Sequence, residues 1–457
     1  MRWLLLSLLI ACGDDASPLD GGRDASTDAP TDAPAPDAPA PDAPAPDAPP
    51  DAPALDAPTD AAFDAGEEPT EVIRPEPGAL TIIQIRLPGV LQLGEAAVLV
   101  GPDGTLVLMD LGNSSHADDV AAIVEDLNTR WITAARGFPR DRAAREVDWV
   151  VITHIHGDHV GGFENLVLDE GIAITQGVVH RGFVDLGGGM NDNDYEEVCG
   201  LLRGSLSALD VPLCTSAEVA PCNAGDLAGV HAATNCDGLF AGDLGDPLDA
   251  PAPAFIPLGD GARMTFVAAD GHASNGTTTE AITFAHDDNN EENARSLAAV
   301  ISHGAFRYHW GGDMTGSGEP TEPDVESHLV RVSGDAFYGA LGMDVTHAHH
   351  HVRRTSSNAV FVDAMAPNDG RSRNVIGGIN AGHVGSPHGD VLMRWGDGAR
   401  LGEGRIWVTM TATAGDDHAA LVDADADVTL QTLAGGSHYR IQASRATPLS
   451  LTFESVR

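Results

Sequence analysis

The chain contains no lysine: its 25 basic residues are all arginine, set against 68 acidic residues for a formal net charge of −43. Such an excess of acid repels nucleic acid and anionic surfaces at long range. This disfavours a nucleic-acid-binding module, and no stable nucleic-acid partner is expected. A long apolar run is missing from the start of the chain, where the stretch from Trp3 to Ile10 is too short to span a bilayer as a helix. Cysteine is scarce, with five among 457 residues and no Cys-x-x-Cys pair, which weighs against a structural zinc site.

That short apolar stretch follows Arg2 and ends in "LIAC", so residues 1–11 read as a secretory signal peptide. "LIAC" resembles a bacterial lipobox, which makes Cys12 the lipidated residue and implies an extracytoplasmic, membrane-anchored protein. Gly13 rather than Asp after Cys12 resembles an outer-membrane address rather than an inner one. From Cys12 to residue 78 the composition is Asp, Ala and Pro, with the near-repeat "DAPAPDAPAPDAP". Proline removes backbone donors, the acids repel one another and almost nothing apolar is available to bury, so a disordered tether is expected. Its reach is on the order of 150–200 Å at polyproline spacing.

The remaining Cys199, Cys214, Cys222 and Cys236 fall in a Gly- and Asp-rich stretch, about 184–257, that reads as an insertion. In an oxidising compartment four cysteines suggest two disulfides, with three possible connectivities.

Residues 79–457 carry the folded texture. "LTIIQIRLP" reads as a strand, and "AAVLVGPDGTLVLMDLG" as a hairpin closed by Pro-Asp-Gly and ending on Asp110. Val120, Ile123, Val124 and Leu127 have helical spacing within 117–131, and "VDWVVIT" is a short buried strand. Further strands are expected in "ARMTFVAAD", "EAITFAH", "SLAAVISHG", "FRYHWGGD", "NVIGGIN", "RIWVTMTATA", "VTLQTL", "HYRIQAS" and "LSLTFESV". Strands alternating with helices give an α/β class whose sheets are covered on both faces.

Directly after "VDWVVIT" comes "HIHGDHVGG", which packs His154, His156, Asp158 and His159 into six positions. Alternate residues of an extended segment face the same way, so His154 and His156 can chelate one ion. Beyond Gly157 the chain turns, and Asp158 with His159 can serve a second. Imidazole nitrogen with carboxylate oxygen is the donor set of Zn²⁺, with Mn²⁺ or Fe as alternatives.

This pattern resembles the signature of the metallo-β-lactamase fold, whose members are mostly hydrolases. The resemblance implies a four-layer αββα sandwich. It makes Asp110 the strand-end carboxylate that orients ligands, and Asp313 in "HWGGDMTG" the carboxylate bridging both ions. A narrower resemblance links "NEENARSLAAVISHGAFRYHWGGDMTG" to the branch that contains the hydrolase domain of the competence DNA-uptake channel protein and the phosphorylcholine esterases. That branch implies a later His-His-Gly motif. "DVTHAHHHVRRTSSN" matches it with His350 as ligand, although Val352 stands in the glycine's place and His349 or His351 are alternatives. The branch also implies a closing Asn…His-Pro motif, and "NAGHVGSPHGDVL" supplies Asn380, His383 and His388, of which His388 is preferred. His272 in "ADGHASNG" is a further alternative for the first ion, whereas His180, His303 and His309 beside apolar runs read as structural or exposed.

Two divalent ions would acidify a shared water toward neutral pKa and polarise an electrophile. Asp158 and Asp313 are the expected catalytic carboxylates, and Arg353 with Arg354 are expected to contact an anionic substrate group. The resulting expectation is a membrane-anchored metallohydrolase acting on a small-molecule or cell-envelope substrate, with phosphodiester hydrolysis foremost. Lactone, thioester or β-lactam hydrolysis, and a binding module with a degenerate metal site, are the alternatives.

Overall fold

The computed structural model describes residues 73–87, 94–180, 213–215, 255–269, 271–282, 292–317, 323–379, 386–398, 400–409, 421–423, 427–436, 438–444 and 451–456. Cys12, the tether to residue 72, most of 184–257, Cys199, Cys222, Cys236, Asn380 and His383 lie outside them; of Cys214 only the backbone is described. Ile73 is buried, and its N–H donates to Gln442 Oε1 at 2.7 Å.

One sheet collects β1 (Thr81–Gln84), β2 (Ala96–Val100), β3 (Leu106–Leu111), β4 (Glu146–Ile152), β5 (Ala173–His180) and β6 (Leu213–Thr215). On the other side of β1 it takes in β17 (Asp427–Thr432), β18 (His438–Ser444) and β19 (Leu451–Val456) from the end of the chain. The second sheet holds β7 (Phe255–Pro257), β8 (Arg263–Ala269), β9 (His272–Ser274), β10 (Thr279–Ala281), β11 (Ala298–His303), β12 (Phe306–Gly311), β13 (Val345–His347), β14 (Asn374–Gly377), β15 (Ile406–Val408) and β16 (Leu421–Asp423). In each sheet an antiparallel half passes into a parallel one. β3, β4, β5 and β6 run parallel in the first, and β12 to β16 in the second.

Alternation along the strands explains the layering. In β2, Ala97 and Leu99 join an apolar cluster shared with Phe266, Ile301, Tyr308, Trp310 and Trp407 of the second sheet. Ala96, Val98 and Val100 instead pack with Val120, Ala121 and Val124 of α1 (Ala117–Asp126). All five side chains are therefore buried, as in a strand covered on both faces. After α1 the chain takes a wider turn through Trp131, where Ile132 N–H reaches back to Leu127 O at 2.7 Å. A second, very short helix, α2 (Gly157–Val160), follows β4. The far face of the second sheet is covered by α3 (Val325–Ser333), α4 (Ala359–Met365) and α5 (Gly389–Gly396) through Leu329, Phe361, Val362, Leu392 and Trp395. Helix, sheet, sheet and helix form four layers. Each fully buried aliphatic side chain contributes roughly 1.5–3 kcal/mol to holding them together. Among the described residues no helix is long and apolar enough to cross a membrane.

The parallel strands deliver their C-terminal ends to one edge of the sandwich. Asp110 is the last residue but one of β3, His154 follows β4, Asp313 follows β12 and His350 follows β13. Loops after the carboxyl ends of parallel strands are where α/β sheets assemble sites.

Candidate metal centre

Asp110 reaches the edge through a local irregularity. Ala96 pairs with Leu111 but Ala97 with Met109, so Asp110 is the extra residue of a β-bulge, with φ of 52°. The bulge turns its carboxylate out of the strand's alternation and toward β4. Its Oδ1 accepts the Thr153 N–H at 2.8 Å, and its Oδ2 accepts the Thr153 hydroxyl at 2.7 Å and faces His159 Nδ1 at 2.9 Å. Burial pushes the Asp110 carboxyl up, with His159 and Thr153 opposing that rise.

His156 lies on extended backbone, and its Nδ1 is 3.1 Å from His154 Nε2. α2 then carries Asp158 and His159 round the corner. His154 and His159 are fully buried, while His156 and Asp158 are partly exposed at the mouth.

From the second sheet, Asp313 enters between the imidazoles. Its Oδ1 lies 3.3 Å from His159 Nε2, and its Oδ2 lies 3.3 Å from His351 Nε2 and 3.9 Å from both His154 Nε2 and His350 Nε2. Oδ1 is buried and makes no hydrogen bond of acceptable geometry, its approach to His159 included. A buried carboxylate oxygen left in that state is costly unless a cation completes its coordination. Burial works to raise the Asp313 carboxyl, but His351, His159 and His350 outweigh it and hold it well below the usual range. Conversely, Asp313, Asp158 and Asp110 overcome burial and hold the His159 imidazole well above its ordinary range.

The three consecutive histidines splay in different directions, because His350, His351 and Val352 all take left-handed backbone, with φ of 49°, 50° and 61°. Left-handed geometry is rare for non-glycine residues, and a β-branched residue there is a genuine outlier. His349 points away from the centre. Its Nδ1 meets Glu326 Oε1 at 2.8 Å and its Nε2 meets His309 Nε2 at 2.9 Å. His351 points inward, 3.2 Å from both His159 Nε2 and Asp158 Oδ2. His350 lines the centre beside them, its Nδ1 bonded to Thr355 Oγ1 at 2.6 Å and its Nε2 3.3 Å from Asn293 Nδ2. Two sets of donor atoms lie within 4.8 Å of one another: Glu95, His159, Asp313 and His351, and His154, His156 and Asp313.

The imidazoles are turned consistently. Nδ1 of His159, His350 and His351 is bonded outward, to Asp110, Thr355 and the Gly378 carbonyl, which leaves Nε2 facing the centre. Outward hydrogen bonding of this kind fixes the ligating tautomer of metal-binding histidines.

Not every expected residue arrives. His388 is the N-cap of α5, where its Nδ1 accepts the Asp390 N–H at 3.3 Å. Its side chain is 34% exposed and belongs to neither set, and its backbone N–H donates to the Val352 carbonyl at 2.9 Å. His272 sits in β9 and interacts with His328, also outside both sets. Of the structural histidines, His303 bonds Thr432 Oγ1 at 2.8 Å. Arg353 stands next to the centre, close enough for its charge to act on His350, while its Nε is buried without a hydrogen-bond partner. Arg354 is exposed, and among the described residues no carboxylate pairs with either arginine. Glu95 was not foreseen. Its one signal is an acid placed directly before the run Ala96–Val100, which is buried on both faces.

No curated protein matches the chain in a sequence comparison. Among solved structures, it is similar to the metallo-beta-lactamase fold protein YhfI from Bacillus subtilis, with 9% identity and a TM-score of 0.36 over 72% of this chain and 96% of that one. It is also similar to a long form RNase Z from yeast, with 9% identity and a TM-score of 0.33 over 65% of this chain and 36% of that one. A metallo beta lactamase from Hirschia baltica follows, with 13% identity and a TM-score of 0.25 over 59% and 88% of the two chains. Residues 92–182, the segment that carries Glu95, Asp110 and the run from His154 to His159, match the family model of the Metallo-beta-lactamase superfamily.

Proposed function

We propose that the chain is a metal-dependent hydrolase that holds two divalent ions, Zn²⁺ foremost and Mn²⁺ as the alternative, and cleaves phosphodiesters. The observation that carries this reading is the convergence of His154, His156, Asp158, His159, His350 and His351 on Asp313, whose buried Oδ1 lacks a hydrogen-bond partner. His154, His156, Asp313 and His350 would hold one ion, and Asp158, His159, Asp313 and His351 the other. Nitrogen and carboxylate oxygen donors in this mixture suit either metal. Bound divalent ions supply Lewis acidity toward a substrate oxygen and a water acidified into the neutral range.

The chain's own groups account for the rest. Asp110, Thr355 and the Gly378 carbonyl keep the Nδ1 side of His159, His350 and His351 occupied, so the Nε2 lone pairs stay directed inward. Asp158, only 14% exposed, sits at the mouth where it can accept a proton from an incoming nucleophile. Arg353, with no carboxylate partner among the described residues, is suited to a phosphate oxygen, and this favours an anionic ester over a lactone or β-lactam. The substrate is a small-molecule or cell-envelope ester and not a polynucleotide, given the net charge of −43.

Purified protein loaded with Zn²⁺ or Mn²⁺ is expected to turn over bis(p-nitrophenyl)phosphate, and His156→Ala to abolish that turnover. Turnover of nitrocefin alone would move the assignment to β-lactam hydrolysis. Bound metal without turnover on a wide ester panel would indicate a binding module. We further propose that Cys12 carries lipid and anchors the protein outside the cytoplasm. Membrane partitioning and fatty-acid incorporation that persist in Cys12→Ser would refute this.

A further inference from the structure

A second buried carboxylate stands behind the centre. Glu95 is 3% exposed and lies at the entry to β2, in the first sheet, but its side chain reaches the histidine segment of the second. Its Oε1 contacts His347 Nε2, and its Oε2 lies 3.1 Å from His351 Nδ1. Its backbone ties two more parts of the site together: Glu95 N–H donates to Asp158 O at 2.9 Å, and Gly112 N–H donates to Glu95 O at 2.8 Å. Room for the carboxylate depends on Gly378, where a Cβ would come within 2.6 Å of Glu95 Oε1.

Two roles are conceivable for an acid in this place, and geometry separates them. His351 presents Nε2 to Asp158, His159 and Asp313, while Glu95 approaches the opposite, Nδ1 edge of the ring. A carboxylate on that edge stands behind the imidazole, beside Nδ1 and not beside the Nε2 that is turned toward Asp313. We propose that Glu95 is a positioning residue: the Gly378 carbonyl, 2.9 Å from His351 Nδ1, takes that nitrogen's hydrogen bond, and the Glu95 carboxylate beside it, in charge contact without hydrogen-bond geometry, raises the basicity of His351 and so tunes the ion held by Asp158, His159 and His351. This rests on the two-ion reading above. His347 shares the load from β13, so one carboxylate braces two imidazoles of the strand and turn that deliver His351.

The test is a Co²⁺ titration of the full, metal-stripped chain, followed by its visible d–d absorption, in wild type, Glu95→Gln and Glu326→Gln. Glu326 is the control because it is equally buried and also holds a histidine of the run, His349, on the side facing away from the centre. In Glu95→Gln, one of the two Co²⁺ equivalents should bind about 10- to 100-fold more weakly with an altered band, while the other keeps its affinity. Glu326→Gln should melt earlier but titrate like wild type. Unchanged affinity and spectrum in Glu95→Gln, or the same change in Glu326→Gln, overturns the inference while leaving the two-ion reading intact. A wild type that takes up no Co²⁺ overturns both. Should Glu95→Gln not fold, Glu95→Asp withdraws the carboxylate by one methylene and is expected to weaken the same equivalent about tenfold; a wild-type titration there also counts against the inference.

Discussion

Replacing Val352 offers a direct test of the backbone that splays the histidines. Val352 is completely buried and held at φ of 61°. A left-handed conformation costs an L residue roughly 1–2 kcal/mol, and glycine is exempt. Truncation to Ala or Gly also loses buried methyls, so the useful quantity is the step from Ala to Gly, compared with the same step at a buried site of ordinary backbone. Val375 in β14 provides one, at 1% exposure and outside the left-handed region. There the step should cost about 1.5 kcal/mol, from one buried carbon at about 0.8 and the added freedom of the unfolded chain at about 0.4–1. At Val352 the relief of strain cancels this, and Val352→Gly should be as stable as Val352→Ala to within about 0.5 kcal/mol. Urea denaturation of the four metal-free variants, analysed by linear extrapolation with a common slope, reads the difference. Equal Ala-to-Gly costs at the two positions would refute the left-handed turn, and with it the account of why His349 and His351 point in opposite directions.

Two further outcomes follow from hydrogen bonds described above. Asp110→Asn can still accept the Thr153 N–H, but its amide would face the His159 Nδ1–H; the imidazole is then expected to move its proton to Nε2 and lose its donor toward the centre. Metal affinity should fall about 10- to 100-fold, measured by chelator competition, with the tautomer followed by ¹⁵N NMR; wild-type affinity would refute the orienting role. Arg373 holds the Asp369 carboxyl down to about 2, below its unfolded value, so this pair stabilises the fold above about pH 4 and loses that contribution as the pH falls through about 2. Because Asp369 is 34% exposed, screening limits the gain to about 0.5 kcal/mol, and the stability gap between wild type and Asp369→Asn should close in acid. A gap that widens on acidification would contradict the pairing.

What the sequence discloses about this protein is its local patterning. The β2–β3 hairpin, the helix after Asp110, the strand before His154 and the dense run from His154 to His159 are all legible because spacing and turn chemistry act over a few residues. Asp110 and Asp313 are legible through the motifs that resemble the metallo-β-lactamase fold, each close to the end of an apolar strand. The choice among His349, His350 and His351 is not, since side-chain directions there depend on three left-handed residues that no spacing rule anticipates. At His388 the neighbourhood resembles a ligand motif, and the structure adds what the motif does not disclose, that a helix begins there with His388 Nδ1 as its cap. Glu95 escaped because its partners, His347 and His351, come from the other sheet and no local pattern joins them.

The centre is drawn from both sheets, and His159 meets His351 across 192 positions of chain. A cation held between them would therefore act as a clasp on the whole sandwich as well as a reagent. At a free concentration of 100 times its dissociation constant, it would add about 2.7 kcal/mol to the free energy of unfolding. The lifetime of such a molecule would then rise and fall with the metal supply of its surroundings, and a chelator that silences it would also make it easier to digest.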